Sequence, residues 1–381
     1  MSELQDLYRN AIDLNRYSNS VARRVIRAYN DVVLDAVDQL RGIDELAAPV
    51  KAARLRAIIA QLNESLRTWS GDSLETLTEE LQGLAVLQGE FAEEQLRNAL
   101  PAGAAGRVNT VEISPSFAQA VVSTEPTMAG VVDLSDNFDR IVRAPVTFQL
   151  TVGQELSLPN GEIVRDALQK MSVRQSEIFS MTVRTGLIEG ESTNAIVRQL
   201  KGRLTKEQRG SIDTLIAAGG QVTSVPNNQL RTLVRTTVNQ VASATSEIIA
   251  AENPDATEKY LYTAVLDSKT TPICRALDGK VFVHGKGPMP PQHFNCRSRH
   301  VNIPIGLERQ FLELRDDYGQ WLEKQSDTEK KKVLGPGRLK YWNGLVKKYG
   351  ASDAIRKYVS KDGSELTLDQ LRERYSKLRS A

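Results

Sequence analysis

Cysteine and histidine, the side chains best suited to bind a transition metal or to serve as a nucleophile and its base, are confined to one stretch of this chain. Both cysteines and all three histidines lie within residues 263–304, TAVLDSKTTPICRALDGKVFVHGKGPMPPQHFNCRSRHVNIP. Thiolate and imidazole suit Zn²⁺, and His293 and Cys296 have the spacing of a ligand pair. Together with Cys274 they make a structural zinc ion one interpretation of this Cys/His motif.

The fourth ligand of such a site stays open. Asp278 or His300 could supply it, but the chain has no Cys-x-x-Cys pair. The same side chains could serve an enzyme, with either cysteine as nucleophile, His293 as base and a carboxylate to orient it. Such catalysis requires a thiolate in an open, electropositive cleft, and a sequence shows neither the cleft nor its access.

The third interpretation, which we favour, is structural. The two cysteines would be small buried hydrophobes or a pair of nearby thiols. His293 and Asn295 would hydrogen-bond carbonyls of the loop, and Arg297 would pair with Asp267 or Asp278. Two cysteines in 381 residues do not form a disulfide framework, so in the cytoplasm of the producing cell we expect thiols or metal ligands.

The local sequence of the motif predicts a short β-hairpin followed by an ordered loop. TAVLD (263–267) is β-prone, Asp278 and Gly279 predict a tight turn, and VFV (281–283) is β-branched and aromatic. The segment GKGPMPPQ can be neither helix nor central strand, because proline removes a hydrogen-bond donor and restricts the residue before it.

Taken in order, the motif residues resemble the minor head proteins of tailed bacteriophages related to protein F of phage Mu. The family pattern is an Asp-led segment followed by Thr, Pro and Cys, then Asp-Gly-Lys, then Pro-x-His-x-Asn-Cys-Arg-Cys. The matching residues are Asp267, Thr271, Pro272, Cys274, Asp278, Gly279, Lys280, Pro291, His293, Asn295, Cys296 and Arg297. The next position, usually cysteine in the pattern, is Ser298.

The resemblance covers roughly the second half of the chain. Before the motif, Arg235-Thr236-Thr237 and Asn239 are similar to the family's Arg-Thr-Glu and Asn helix, although Thr237 stands where Glu is usual. After the motif, the segments similar to the family's C-terminal signature are Trp321-Leu322, residues 334–338 (LGPGR), and Leu366-Thr367-Leu368 before Leu371.

This resemblance implies a minor head protein of a tailed phage, located in the virion at the portal vertex and acting in head assembly and in DNA packaging or ejection. The implied partners are the portal protein and the major capsid protein, with several copies present and no membrane involved during assembly. Genomic DNA inside the head is a further implied partner. The family also occurs fused to toxin domains, and no catalytic-looking segment follows the C-terminal signature here, which argues against a fused toxin. The resemblance supports an interaction protein, and we expect no enzyme.

Composition excludes few classes. The chain has 381 residues, a net charge of +2 and a pI near 8.4, which by itself implies neither nucleic-acid nor membrane binding. No apolar run approaches the roughly 20 residues of a membrane-spanning helix. The start, MSELQDLYRN, lacks a basic-then-apolar signal region, so we expect folding in the cytoplasm of the producing cell.

The first hundred residues predict a bundle of long helices. A heptad seam predicts a helix over residues 3–41, ended by Gly42. Two further helices are expected at 47–69 and 73–99, the second capped by Asp72 or Ser73. The seam could complete an antiparallel bundle, or part of it could dock on a partner such as the portal. The residues predicted for that docking are Leu4, Leu7, Leu14, Val21 and Val25. The seam continues through Ala28 and Val32.

The middle of the chain changes character twice. Residues 101–160 predict a linker or extended arm with short β-pieces at 108–113, 130–134 and 141–152. Helices are then expected from Asn160 to about Glu189, after a cap at Ser192 or Thr193, from Thr205 to Gly219, and over 229–251 following a turn, VTSVPNN.

The C-terminal part predicts an amphipathic helix over 307–323 and a short charged helix over 366–378. Between them, lysines alternate with aromatic residues, as in proteins that bind nucleic acid through backbone contacts and stacking. The candidates for that weak DNA-binding alternative are Lys330, Lys331, Lys332, Lys347 and Lys348 with Tyr341, Trp342 and Tyr349. A solvated helix face with buried aromatics explains the same pattern, and we favour it.

We therefore predict a mainly α fold with a small α+β C-terminal module, long N-terminal helices in a bundle and a short β-hairpin at the Cys/His motif. The expected divisions are a bundle at 1–100, a linker at 101–160, a helical region with the motif module at 161–305 and a helical tail at 306–381. Within the motif, the residues expected to shape the module are Asp267, Thr271, Gly279, Asn295, Arg297 and, from the preceding helix, Arg235.

Overall fold

The computed structural model describes residues 3–100, 102–111, 156, 158–202, 219–313, 315–360 and 363–378. These residues are mainly helical and include one small antiparallel sheet in the C-terminal part, as the sequence predicts. None of the described helices has the length and apolar character needed to cross a membrane.

The described helices and strands are numbered here in chain order. Before the sheet lie α1 (Glu3–Asp38), α2 (Ala48–Ala99), α3 (Ala102–Ala105), α4 (Val164–Ile188), α5 (Thr193–Lys201) and α6 (Ser224–Ala251). The motif region contains β1 (Thr257–Thr263), α7 (Pro272–Leu277), β2 (Val281–Val283) and β3 (Arg299–Pro304). After it lie α8 (Glu308–Glu313), α9 (Tyr318–Glu323), α10 (Asp327–Tyr349), α11 (Ala351–Arg356) and α12 (Leu368–Tyr375).

The chain forms two compact units. Unit 1 comprises the described residues within Met1–Ala11, Leu84–Leu150 and Asn239–Ala381, and unit 2 those within Ile12–Gly83 and Thr151–Val238. The unit boundaries at 11/12, 83/84 and 238/239 fall inside helices α1, α2 and α6. The units are therefore discontinuous in sequence, unlike the sequential divisions expected from composition.

Helix α1 ends close to the predicted position, and Gly42 adopts φ 76°, a left-handed conformation that glycine accepts without steric cost. The predicted seam is correct only in its first part. Leu14, Val21 and Val25 are at most 5 % exposed, but position 28 is exposed. The buried stripe shifts to Ile26, Tyr29, Val33 and Val37, because a straight helix of 3.6 residues per turn drifts away from a heptad repeat.

The burial of Leu14, Val21 and Val25 corrects their assignment to an exposed docking surface. Their side chains form part of the protein's own core. The side chains of Leu4 and Leu7, also predicted for docking, lie outside those that the structure describes.

One helix, α2, replaces the two helices predicted at 47–69 and 73–99. The segment Ser70-Gly71-Asp72-Ser73 has the composition of a cap, but the apolar stripe stays in phase across it. Trp69 on one side and Leu77 on the other are 3 % and 1 % exposed. A glycine inside a helix costs about 1 kcal/mol relative to alanine, which is less than the burial of the continuing stripe contributes.

The next helices agree with the prediction apart from their first residues. Helix α4 begins at Val164 rather than near Asn160, and Ser192 caps α5 by accepting a hydrogen bond from the Ala195 backbone. Helix α6 begins at Ser224 and includes the segment predicted as a turn. Pro226 lies in its first turn, where a missing N–H removes no intrahelical bond.

The predicted linker and one predicted helix lie mostly outside the described residues. Residues 102–111 contain the short helix α3, and residues 108–111 form no strand. The β-pieces expected at 130–134 and 141–152 and the helix expected from Thr205 belong to the part of the chain that the structure does not describe.

The sheet has the strand order β2-β1-β3, with both pairs antiparallel. The predicted hairpin is correct in its second strand, in which Phe282 pairs with Tyr260, but the first strand is wrong. Strand β1 ends at Thr263, where the predicted TAVLD strand was to begin, and the expected connection is helix α7. The pairing of β3 with β1, Tyr262 opposite His300, was not predicted.

The C-terminal helices surround a core of their own. The predicted helix at 307–323 is two helices, α8 and α9, because Asp317 starts α9 with a capping box. Thr367 and Gln370 form a second capping box at α12. The buried members of this core are Tyr318, Leu322, Val333, Leu334, Tyr341, Trp342, Leu345, Ala354, Ile355, Tyr358, Leu366 and Leu371.

Because α2 is continuous, Gly71→Ala should raise the free energy of unfolding by about 0.5–1 kcal/mol, since alanine favours the helix interior. A Cβ at Gly71 would meet no atom within 4 Å. Gly186→Ala in α4 is the matched control, because its Cβ would lie 2.5 Å from the buried Ile196, and it should destabilise. Urea denaturation measures both variants. A loss of stability in Gly71→Ala would show that α2 is broken at this glycine.

Candidate functional site

Three predicted ligands meet in unit 1. The ligand atoms of Cys274, His293 and Cys296 all lie within 4.8 Å of one another, and we call these residues the Cys/His cluster. The two Sγ atoms are 3.7 Å apart, and Sγ of Cys274 is 3.3 Å from Nε2 of His293. Both cysteines are free thiols.

Helix α7 and the loop before β3 position the cluster. Thr271 precedes α7 in an extended conformation, and Pro272 occupies the first helical position, where its fixed φ is preorganised. One turn of this helix presents Cys274. In the loop, Asn295 adopts φ 59°, and the Cys296 N–H donates to the His293 carbonyl at 3.1 Å, which brings Cys296 and His293 to the same side of a tight turn.

The loop determines which nitrogen of His293 faces the thiols. Nδ1 lies 2.7 Å from the Phe294 carbonyl oxygen. A carbonyl only accepts, so Nδ1 carries the proton and donates to it. Nε2 is then directed to Cys274 and to the Thr271 hydroxyl, 2.7 Å away. This arrangement leaves the Nε2 lone pair toward the thiols when the ring is neutral.

The two thiols have opposite pKa shifts. A hydrogen bond from Cys274, together with His293, lowers the pKa of Cys296 despite burial. The hydrogen bond with Cys296 and burial raise the pKa of Cys274. Burial, the largest single cause, lowers the pKa of His293, but Cys296 and the Phe294 carbonyl together outweigh it, so the net shift is upward. The cluster therefore favours one thiolate beside a protonated or hydrogen-bonded imidazole.

Apolar side chains and two hydroxyl groups surround the cluster. Cys274 and Cys296, 1 % and 3 % exposed, belong to a hydrophobic core with Tyr262 and Leu277. The Tyr262 hydroxyl lies 3.3 Å from Sγ of Cys274. Ser298 is 2 % exposed, and its hydroxyl opposes the rise in the pKa of both Tyr262 and Cys274. The serine that departs from the family pattern thus lies beside the thiols.

Asp278 is not part of this cluster, which corrects its assignment as a ligand. It is 1 % exposed; Oδ1 accepts from the Ala264 N–H at 2.5 Å and pairs with Arg315. Burial raises the pKa of Asp278 even though Arg315 opposes the shift. The interactions of this carboxylate therefore stabilise the predicted tight turn, in which Gly279 adopts φ 75°.

Of the two partners predicted for Arg297, the structure selects Asp267. The guanidinium makes two hydrogen bonds to this carboxylate, at 2.7 and 2.6 Å. Asp267 Oδ1 also accepts from the backbone of Lys269 and Thr270, and Arg297 lowers the pKa of Asp267. Both ends of the motif are joined by this bidentate pair.

Asn239 joins α6 to the same loop. Its amide donates to the carbonyls of Cys296 at 2.8 Å and Ser298 at 3.2 Å, and its oxygen accepts from Arg299. Arg235, expected to shape the module from the preceding helix, donates to Asn19 Oδ1 at 2.8 Å.

A second polar cluster was not predicted from the sequence. Glu247 of α6 accepts from His284 Nδ1 at 2.6 Å and from the Gly285 N–H at 2.7 Å. Its Oε2 lies 4.0 Å from Nε2 of His300, whose ring contacts Tyr260 edge-on. His300 therefore lies beside Glu247, which corrects its assignment as a ligand of the Cys/His cluster. The sequence signal that could have revealed this cluster is Glu247, an isolated carboxylate on the apolar side of α6.

The basic C-terminal segment resembles a solvated helix face. Tyr341 and Trp342 are buried in the core at 3 % and 1 % exposure, as the favoured interpretation expects, so the base-stacking alternative does not hold for these two residues. Tyr349 is partly buried, with Lys348 Nζ 4.9 Å from its ring centre. Contact of Lys330, Lys331, Lys332, Lys347 and Lys348 with nucleic acid stays a prediction.

Arg297→Lys should lower the free energy of unfolding by about 1 kcal/mol, because an ammonium group cannot reproduce the two parallel hydrogen bonds to Asp267. Arg309→Lys is the control: that guanidinium is 90 % exposed, and exposed ion pairs contribute little. Urea denaturation measures stability, and amide hydrogen exchange over 284–298 reports on the loop. Equal effects of the two variants would contradict a structural role for Arg297.

His300 predicts a pH dependence of stability. Burial lowers the pKa of His300 from 6.5 to about 4, so the unfolded chain binds the proton first. Its contribution is complete above pH 6.5 and is lost as the pH falls toward 4, by about 2 kcal/mol between pH 7 and pH 5. Denaturation at both pH values should show this loss in the wild type and much less of it in His300→Gln. An unchanged loss in His300→Gln would contradict the assignment.

The comparison with known proteins finds a match to the part of the chain that contains the Cys/His cluster. The family model described as Phage Mu protein F like protein matches residues 177–301, which include the Cys/His cluster, the Arg297–Asp267 pair and Asn239. No curated protein and no solved structure matches the chain. Residues 177–301, about a third of the chain, are therefore similar to the phage Mu protein F-like family.

Proposed function

We propose that this protein is a minor head protein of a tailed bacteriophage, located at the portal vertex of the virion and acting in head assembly and in DNA packaging or ejection. The family match over residues 177–301 carries the proposal and supports its coarser part, a head-associated phage protein. The portal protein, the major capsid protein and genomic DNA are its proposed partners, and several copies are proposed for each particle.

The geometry of the motif favours a structural role over catalysis. Cys274 and Cys296 are 1 % and 3 % exposed and lie among apolar side chains. A catalytic cysteine requires a thiolate that a substrate can reach. The family is one of structural head proteins, and the buried thiols agree with that role. A thiol-dependent or metal-dependent enzyme using Cys274, His293 and Cys296 is the less favoured alternative.

A DNA-binding protein ejected with the genome is the other alternative. It depended on lysines alternating with exposed aromatics, and two of those aromatics are core residues. Net charge is only +2, so a strong salt-dependent attraction to DNA is not expected from charge alone.

Deletion of residues 1–42 would not test whether the first helix docks on a partner, because that segment contributes to the core. Tyr29 is fully buried and donates from its hydroxyl to the Val222 carbonyl at 2.9 Å. Removal of this helix would expose apolar surface and unfold unit 2. A test of function must therefore leave the fold intact and report from exposed positions.

Helix α4 offers such positions. Val173, Met181 and Ile188 are 59 %, 65 % and 86 % exposed, and they fall within an arc of about 80° at 3.6 residues per turn. Large apolar side chains exposed on one side of a helix are typical of surfaces that another protein covers.

Photo-crosslinking amino acids placed at Met181 and Ile188 during phage production should yield crosslinks to another head protein, with the portal protein as the expected partner. Mass spectrometry of purified particles identifies both the chain and its crosslinked partner. Ala57, an exposed residue of α2, is the matched control position. Absence of the chain from purified particles, although the infected cell produces it, would contradict the proposed function. Crosslinks to host enzymes alone would contradict it as well.

A further inference from the structure

We propose that Cys274, His293 and Cys296 bind one Zn²⁺ ion, which joins helix α7 to the loop that leads into β3. Nothing in the head-protein proposal requires this metal.

Two of the three distances between donor atoms are close to those of tetrahedral zinc, and the third pair, Cys296 and His293, lies within 4.8 Å. Thiolates that bind Zn²⁺ at about 2.3 Å stand about 3.8 Å apart in a tetrahedron, and a thiolate and an imidazole nitrogen about 3.6 Å apart. The observed distances are 3.7 Å between the sulfur atoms of Cys274 and Cys296, and 3.3 Å from Cys274 Sγ to His293 Nε2. A disulfide would require the sulfurs to approach to about 2.05 Å. To accept the ion, Nε2 of His293 would move slightly away from Cys274 and adjust its distance to Cys296 toward about 3.6 Å.

The histidine is already oriented as a ligand. Metal-binding histidines donate their second ring nitrogen to a carbonyl or carboxylate, which fixes the tautomer and the ring orientation. Here Nδ1 donates to the Phe294 carbonyl at 2.7 Å, and Nε2 faces the sulfurs. The Thr271 hydroxyl, now 2.7 Å from Nε2, also acts on the pKa of Cys274, so on metal binding it can turn from the ring nitrogen to that sulfur.

The charges balance when the ion enters. Each cysteine binds as a thiolate and His293 as neutral imidazole, so the thiol protons, and any proton held on Nε2, leave to solvent. Two thiolates then neutralise the two charges of Zn²⁺. A neutral complex suits a site whose cysteines are nearly fully buried, since an uncompensated charge there would be strongly unfavourable. His293 is only half-buried, which gives the ion a route from solvent.

Ser298 occupies the neighbourhood of the fourth ligand. Ser298 is 2 % exposed, and its hydroxyl acts on the pKa of Cys274. In this proposal a water molecule or the serine hydroxyl completes the tetrahedron. Oxygen is a weaker partner for Zn²⁺ than thiolate in structural sites. A cysteine at position 298 should therefore supply a third thiolate and tighten binding.

The ion would act on the fold rather than on a substrate. Its ligands come from α7 and from the loop, two elements that no strand pairing joins directly. A structural metal contributes its binding free energy to folding. We therefore expect metal binding to protect the loop 284–298 from hydrogen exchange.

The test uses the full chain, reduced with a phosphine and freed of metal by a chelator that is then removed. Addition of Co²⁺ should produce, at one equivalent per chain, the visible bands of tetrahedral cobalt and a near-ultraviolet thiolate-to-cobalt charge-transfer band. Zn²⁺ should then displace Co²⁺ and remove both bands. Competition with a chromophoric chelator measures the Zn²⁺ affinity.

Ser298→Cys is the informative variant. It should raise the charge-transfer intensity by about half, since the thiolates increase from two to three, and tighten Zn²⁺ binding by about tenfold or more. Ser20→Cys is the matched control, because it adds an exposed thiol on α1 far from the motif in sequence and should change neither quantity. Cys274→Ser and His293→Ala should abolish the tetrahedral spectrum, with circular dichroism to verify the fold.

Three outcomes would overturn the proposal. They are the absence of a tetrahedral cobalt spectrum in the reduced wild-type chain, a stoichiometry that His293→Ala leaves unchanged in a folded protein, and equal effects of Ser298→Cys and Ser20→Cys. The wild-type spectrum alone decides the first, even if a variant fails to fold. Since particle incorporation is measured separately, a chain that enters heads without binding metal refutes this inference and leaves the proposed function intact.

Discussion

The structure of the motif depends on the need to satisfy the backbone carbonyls of a loop that is buried but has no regular hydrogen-bonding partner strand. Asn239, 1 % exposed, donates one amide group to the carbonyls of both Cys296 and Ser298. A buried carbonyl without a partner costs about 1–3 kcal/mol. Because the donor sits on α6, the loop can adopt its conformation only when the helix and the sheet are already packed together.

The same constraint explains why the C-terminal helices belong to the module rather than forming a tail. Buried basic side chains supply donors to the motif: Arg356 donates to the Ala276 carbonyl and Arg315 pairs with Asp278. In the other direction, Arg275 of α7 donates to the Val333 carbonyl at 2.9 Å. The Cys/His cluster is thus enclosed by elements that lie on both sides of it in the sequence.

Patterns that involve neighbours in sequence were predictable, and contacts between distant segments were not. The C-terminal ends of α1 and α4, the Ser192 cap and the Gly279 turn follow from local chemistry that acts over a few residues. The three cluster residues could be grouped because ligand chemistry restricts which side chains meet. The continuity of α2 was missed because a Ser-Gly-Asp-Ser segment resembles a cap and only tertiary packing decides the outcome.

The remaining errors have similar physical causes. Asp278 carries a ligand-type side chain, but only the fold shows that Arg315 and the Ala264 N–H occupy it. Strand β3 was missed because the segment from Arg299 to Pro304 alternates weakly and ends in proline. The pairing of Glu247 with His284 joins residues 37 positions apart. A local sequence pattern cannot predict a contact between residues so far apart.

The central claim is that the Cys/His cluster is an interior structural element and not an accessible reactive thiol. The most direct measurement is the rate at which an aromatic disulfide reagent modifies the native chain after metal has been removed by a chelator. The account predicts that Cys274 and Cys296 both react slowly in the folded chain, and that both react at once on unfolding in denaturant. Rapid modification of one cysteine at the rate of free cysteine, with the chain still folded by circular dichroism, would contradict it.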